Sequence, residues 1–161
     1  MRKMGSLSAV VLFGVILSVG HAAENSPAFG QFAQAARSAA LKQGTTLLVT
    51  YDGKKRLLQV AEEMRVNQFR KLTQVQTVPI DKLADEAELI SLGGRAEPWL
   101  KIPCRDQRRA VQLDSTREIN GVHDGELDKE ERLSALILPG HPAELKKVMA
   151  AYAEFKKSVG H

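Results

Sequence analysis

Apolar residues recur at helical spacing near both ends of the chain. Phe29, Phe32, Ala33, Ala36 and Ala40 follow Ser26-Pro27, an N-cap and first-position pair, and Gly44 supplies a stop. This predicts an alanine-rich helix with a narrow apolar side. Pro142 opens a second such pattern, in which Leu145, Val148, Met149, Tyr152 and Phe155 share one face. Lys156 and Lys157 complement the helix dipole in its last turn, and Gly160 ends it. Between these helices, residues 45–51 (TTLLVTY) and 73–80 (TQVQTVPI) carry the β-branched composition of strands, with Pro79 at the end of the second.

The intervening segments predict further elements. Leu57, Val60, Ala61 and Met64 recur at helical spacing behind Asp52-Gly53, with Phe69 and Leu72 completing burial further on. They predict a helix running to about Lys71. Asp81 is placed to cap a short helix over 82–91, stopped at Gly93-Gly94. Residues 99–103 and 110–113 flank the polar turn Arg105-Asp106-Gln107-Arg108 and predict a hairpin. Residues 112–129 are polar and predict a loop, and 133–138 (LSALIL) read as a buried strand before Pro139-Gly140. The expected fold class is therefore α/β: a single domain with a mixed central sheet and helices on both faces. The element order is similar to the thioredoxin-like architecture, with Pro98 standing before the hairpin's first strand. Where those proteins carry a Cys-x-x-Cys pair, Asp52-Gly53-Lys54-Lys55 stands here, which excludes dithiol exchange.

The first residues change the picture of where this domain acts. Arg2 and Lys3 precede an uncharged apolar run over 7–19, and Gly20-His21-Ala22 has the small residues a signal peptidase reads. Cleavage after Ala22 is expected, giving an exported periplasmic or extracellular protein without a membrane span, since the run is shorter than the ~20 residues a spanning helix needs. Loss of Arg2 and Lys3 takes the formal net charge from +4 to +2, so the high pI overstates the basicity of residues 23–161. Export and the single Trp99 argue against a nucleic-acid partner, which needs more aromatic stacking. Cys104 is the one cysteine and reads as a small buried hydrophobe.

Two cationic groups are the candidate contact surfaces. Lys54, Lys55 and Arg56 sit at the predicted start of the second helix, where the macrodipole disfavours cations, and would hold an anion together with free amides. Arg105, Arg108 and Arg109, with Arg95 and Arg117 nearby, cluster around the predicted hairpin and Trp99. They predict a non-catalytic accessory protein that binds an envelope protein or an anionic small ligand.

The alternative is a calcium module. Residues 118–132 (EINGVHDGELDKEER) resemble a bacterial EF-hand loop, with Asp124, Gly125, Leu127, Asp128 and Glu131 matching its second half. That resemblance implies Asn120, Asp124, Glu126, Asp128 and Glu131 as ligands, Glu126 through its carbonyl. The first half departs from the pattern, because Gly121-Val122-His123 separates Asn120 from Asp124, whether Glu118 or Asn120 is taken as first ligand. A third class, a hydrolase, would pair Cys104 with His141 or gather His123, Asp124 and His141 around zinc. The chain carries no HExxH, GxSxG, Walker or GxGxxG motif.

Overall fold

The computed structural model describes residues 26–91, 98–125 and 128–160, so the leading apolar segment, Arg95 and Glu126 lie outside the described residues. Two α-helices lie at the two ends of the described chain, α1 (Pro27–Leu41) and α2 (Pro142–Val159), as their apolar spacing predicts. Between them, among the described residues, run nine strands: β1 (Thr46–Asp52), β2 (Leu57–Asn67), β3 (Arg70–Pro79), β4 (Glu88–Ile90), β5 (Trp99–Pro103), β6 (Val111–Ile119), β7 (Val122–His123), β8 (Lys129–Leu133) and β9 (Ala135–Leu138).

The expected mixed sheet with helices on both faces is not what forms, and every strand pairing among the described residues is antiparallel. The helix expected behind Asp52-Gly53 is strand β2. Asp52 does accept the amides of Lys54 and Lys55, at 2.9 and 3.0 Å, the bonding of a helix N-cap. The same bonding serves a turn, and Arg56, at φ 54°, ends it by folding the chain back into an antiparallel ladder with β1. Leu58, Val60 and Met64 satisfy a period of two, just as Leu57, Val60, Ala61 and Met64 satisfy one of 3.6. The helix expected over 82–91 is a 3-10 turn at Ile80–Lys82 followed later by β4. Residues 112–129, expected as loop, hold most of β6 and all of β7. The two arms of the expected hairpin form as β5 and β6 but join different sheets.

The large sheet has the order β1-β2-β3-β6, and the far edge of β6 is shared by β8 along Val111–Ser115 and β7 along Glu118–Ile119. The small sheet is β4-β5-β9. Leu47, Val49 and Tyr51 from β1, Leu58 and Val60 from β2, and Val78 from β3 point to one side of the large sheet and are buried. The two helices and the apolar residues Leu100, Ile102, Leu136 and Leu138 of the small sheet complete that core. Phe155 sits at its centre, with ring centroids 5.2, 5.3 and 5.6 Å from Tyr51, Phe29 and Phe32. On the opposite face Leu48, Ala61 and Val75 form a small separate cluster.

Candidate functional site

Antiparallel pairing brings both predicted cationic groups to one end of the large sheet. The β1–β2 turn carries Lys54–Arg56, and β3 and β6 lie next across the sheet, so Arg108 and Arg109, just before Val111, emerge at the same end. At this end β2 and β6, which these segments lead into, are two strand spacings or about 10 Å apart. The C-terminus of α2 is there as well.

Two of these cations are committed to the fold. Arg56 makes a fork with the Asp81 carboxylate and donates to the Val159 carbonyl at 2.7 Å, covering the C-terminus of α2. That fork holds the Asp81 carboxyl below its usual range. Arg105 donates to the Leu83 carbonyl at 3.1 Å and to Asp85 at 2.6 Å. Buried Lys156 donates to the Ile80 carbonyl at 2.5 Å, and burial lowers its pKa. The Tyr152 hydroxyl, raised in pKa by burial, donates to the Ala84 carbonyl at 2.6 Å. Loop 80–85 buries Ile80 and Leu83 completely in the core, and these four side chains bond its polar groups. A cleft of about 410 Å³ opens beside it, lined by Asp85, Glu86, Arg105, Lys156 and Lys157. Its cations face carboxylates and the carbonyls of Ile80 and Leu83, so it is a poor receptor for an anion.

Lys54, Lys55, Arg108 and Arg109 differ: all four are exposed and none makes an ion pair among the described residues. There is no helix N-terminus at Lys54, so the anion would meet side chains and the turn rather than a dipole.

The catalytic arrangements do not assemble. Cys104 is 5% exposed, its Sγ lies 3.9 Å from the Leu133 carbonyl, and its amide bonds Ser134. His141 follows the opposite end of β9, and Leu138 alone is ~13 Å of strand away from the level of Ser134. In the EF-hand-like stretch, Asn120 and Gly121 are a hairpin turn with φ of 54° and 74°. Asp128 is 3.0 Å from His123 Nε2, and Glu131 is exposed on β8 opposite Leu113. Strands, not helices, flank this stretch, and no group of three His, Cys, Asp or Glu side chains converges among the described residues.

A second surface lies at the far end of the sheet and includes Phe69, which the sequence places in the interior. Phe69 is instead 56% exposed, in the β2–β3 turn; Val66 near the end of β2 is 63% exposed and Val122 in β7 is 67% exposed. Asn67 Oδ1 accepts the Phe69 amide at 2.9 Å, and the Asn120 amide donates to the Phe69 carbonyl at 2.7 Å, which ties the two hairpin turns together. The signal available for this is Asn120-Gly121 between β-prone residues, a strong two-residue hairpin signature.

Comparison of the chain with protein-family models, with curated proteins and with solved structures found no match.

Proposed function

We propose that this is an exported, non-catalytic binding protein that recognises an anionic partner in the cell envelope through the end of the large sheet carrying Lys54, Lys55, Arg108 and Arg109. The observation that carries the reading is the meeting of two cationic groups, distant in sequence, at one sheet end, where four charges make no ion pair among the described residues. Exposed cations of this kind set association rate and specificity more than affinity, so binding should weaken steeply with salt.

The test is chemical cross-linking capture from envelope extract with the wild-type chain and with Lys54/Lys55/Arg108/Arg109→Ala. Loss of the same cross-linked species in the variant and at high salt is expected. Equal capture by the variant would refute the proposal.

A further inference from the structure

The chain holds three asparagines, Asn25, Asn67 and Asn120, and the structure describes the second and third. Both are exposed at the far end of the large sheet, but their surroundings differ. Asn67 Oδ1 accepts the Phe69 amide at 2.9 Å, and Gln68, with a full side chain, follows it. The Asn120 side chain makes no hydrogen bond among the described residues, and Gly121 follows it. A Cβ added at Gly121 would meet no atom within 4 Å, so the nitrogen joining the two residues is open to solvent and unhindered.

An asparagine side-chain amide and the next main-chain nitrogen can close a cyclic imide when the chain lets them meet. The Asn120-Gly121 turn is closed by the Ile119–Val122 and Glu118–His123 pairs, which hold Gly121 in place while they stand. The rotation needed is about the Cα–C bond of Asn120. It moves Gly121 and β7 and leaves the Asn120 amide on the Phe69 carbonyl, at 2.7 Å. Only β7 has to lift. It is two residues long, both are exposed, and β6 stays paired with β3 on its other side. Short exposed pairs of this kind open at the low end of the stability range.

We propose that Asn120 is a modification site, converted spontaneously to aspartate and isoaspartate through a cyclic imide with Gly121. The Gly121 nitrogen gives its proton to solvent base and attacks Asn120 Cγ. The bond from Cγ to the side-chain nitrogen breaks, and that nitrogen leaves as ammonia after taking up a proton. Water then adds to one of the two ring carbonyls. Opening at Cγ gives aspartate, and opening at the main-chain carbonyl gives isoaspartate, whose chain runs through Cβ. The sum is amide and water to carboxylic acid and ammonia, with nothing oxidised or reduced. Isoaspartate adds a methylene to the main chain of a two-residue turn, so β7 loses its register on β6. The proposal is independent of the cationic end described above.

The experiment keeps the full chain folded in warm, mildly alkaline buffer and follows the peptides containing Asn67 and Asn120. Mass spectrometry reads the amide-to-acid conversion, and chromatography separates aspartate from isoaspartate. Conversion of Asn120 about tenfold or more faster than that of Asn67 is expected, with both products present. Val122→Gly weakens β7 outside the turn. It should speed conversion at Asn120 and hydrogen exchange at Ile119 together, and leave Asn67 unchanged, with circular dichroism confirming that the variant folds. Equal rates at Asn67 and Asn120, no conversion in the folded chain, or aspartate as the sole product would overturn the proposal. Faster exchange in Val122→Gly without faster conversion would overturn it as well, because opening of β7 would then not be the gate.

Discussion

The Gln76 side-chain amide is bonded twice to the main chain of Ile137: its Nε2 donates to the carbonyl at 2.7 Å and its Oε1 accepts the amide at 2.9 Å. Ile137 lies in β9 opposite Lys101, so the groups Gln76 satisfies are those β9 turns away from β5. A glutamine in the large sheet thus occupies the open edge of the small one. It joins the two sheets and closes an edge that would otherwise accept another strand.

Replacing Gln76 by Leu should cost about 2–4 kcal/mol, because two main-chain groups lose their partners in a site only 6% exposed. Gln76→Glu should cost about as much, since a carboxylate accepts the amide but repels the carbonyl. Urea unfolding gives the loss, and hydrogen exchange at the Ile137 amide should accelerate in both variants. Unchanged protection at Ile137 would show that the sheets are held together elsewhere.

Glu62 makes stability fall as pH rises. It lies on the core side of β2 between Leu47 and Gln74, is 3% exposed, and its Oε1 has no hydrogen-bond partner among the described residues. Burial pushes its carboxyl up to about 7 from an ordinary value of 4.5. Below the ordinary value the group is protonated in both the folded and unfolded states and costs nothing. Between the two values the folded chain keeps a proton that the unfolded chain releases, so the advantage of folding shrinks. Above the raised value the full penalty applies, about 3 kcal/mol. Glu62→Gln should match the wild type in acid and exceed it by that order in mild alkali. Taking the difference between the two chains removes the opposite trend from Asp81 and Glu144, whose carboxyls are lowered by Arg56 and Lys42. A difference that does not vary with pH would refute the assignment.

Tyr152 and Lys156 fasten loop 80–85 together, and their removal should not be additive. Tyr152→Phe leaves the Ala84 carbonyl without its hydroxyl donor and should cost about 1–2 kcal/mol, as should Lys156→Met at the Ile80 carbonyl. Both bonds act on one short stretch of main chain, so the double variant should lose less than the sum, by about 0.5 kcal/mol or more. Strict additivity in urea unfolding would show that the two bonds hold separate elements.

The elements legible in the sequence are those in which one periodicity stands alone, α1, α2, β1 and β3, together with the short apolar strands β5 and β9. In β2 the residues Leu57, Val60, Ala61 and Met64 satisfy a helix while Leu58, Val60 and Met64 satisfy a strand. Local bonding at Asp52 suits both, and only pairing with β1 and β3 decides between them. The ambiguity propagates, because strands separated by a helix are expected to run parallel. Lys54, Lys55, Arg108 and Arg109 are visible as cations, but their shared position at one sheet end depends on β2 being a strand. The exposed pair of turns at Phe69 and Asn120 is hidden for a related reason: Phe69 looks like a core residue in any helical reading of its segment, and Asn120-Gly121 looks like part of a calcium loop.

Gly140 is required where the last strand meets the two helices. A Cβ there would stand 2.7 Å from the Ala39 Cβ on α1 and 2.7 Å from Leu145 Cδ2 on α2. Neither neighbour has room to yield, since Ala39 and Leu145 are both fully buried. The His141 amide, one residue on, donates to the Ala39 carbonyl at 3.2 Å and fixes the distance between this turn and α1. Gly140→Ala should therefore cost about 1–3 kcal/mol through overpacking alone, since a methyl group removes no donor or acceptor. Ala39→Gly in the same chain removes one of the two collisions but adds the helix cost of an interior glycine, about 1 kcal/mol. The double variant should then lose less than the sum of the two single losses. Equal stability of Gly140→Ala and wild type in urea unfolding would mean that the turn can move away from α1, and that the His141 bond does not hold it there.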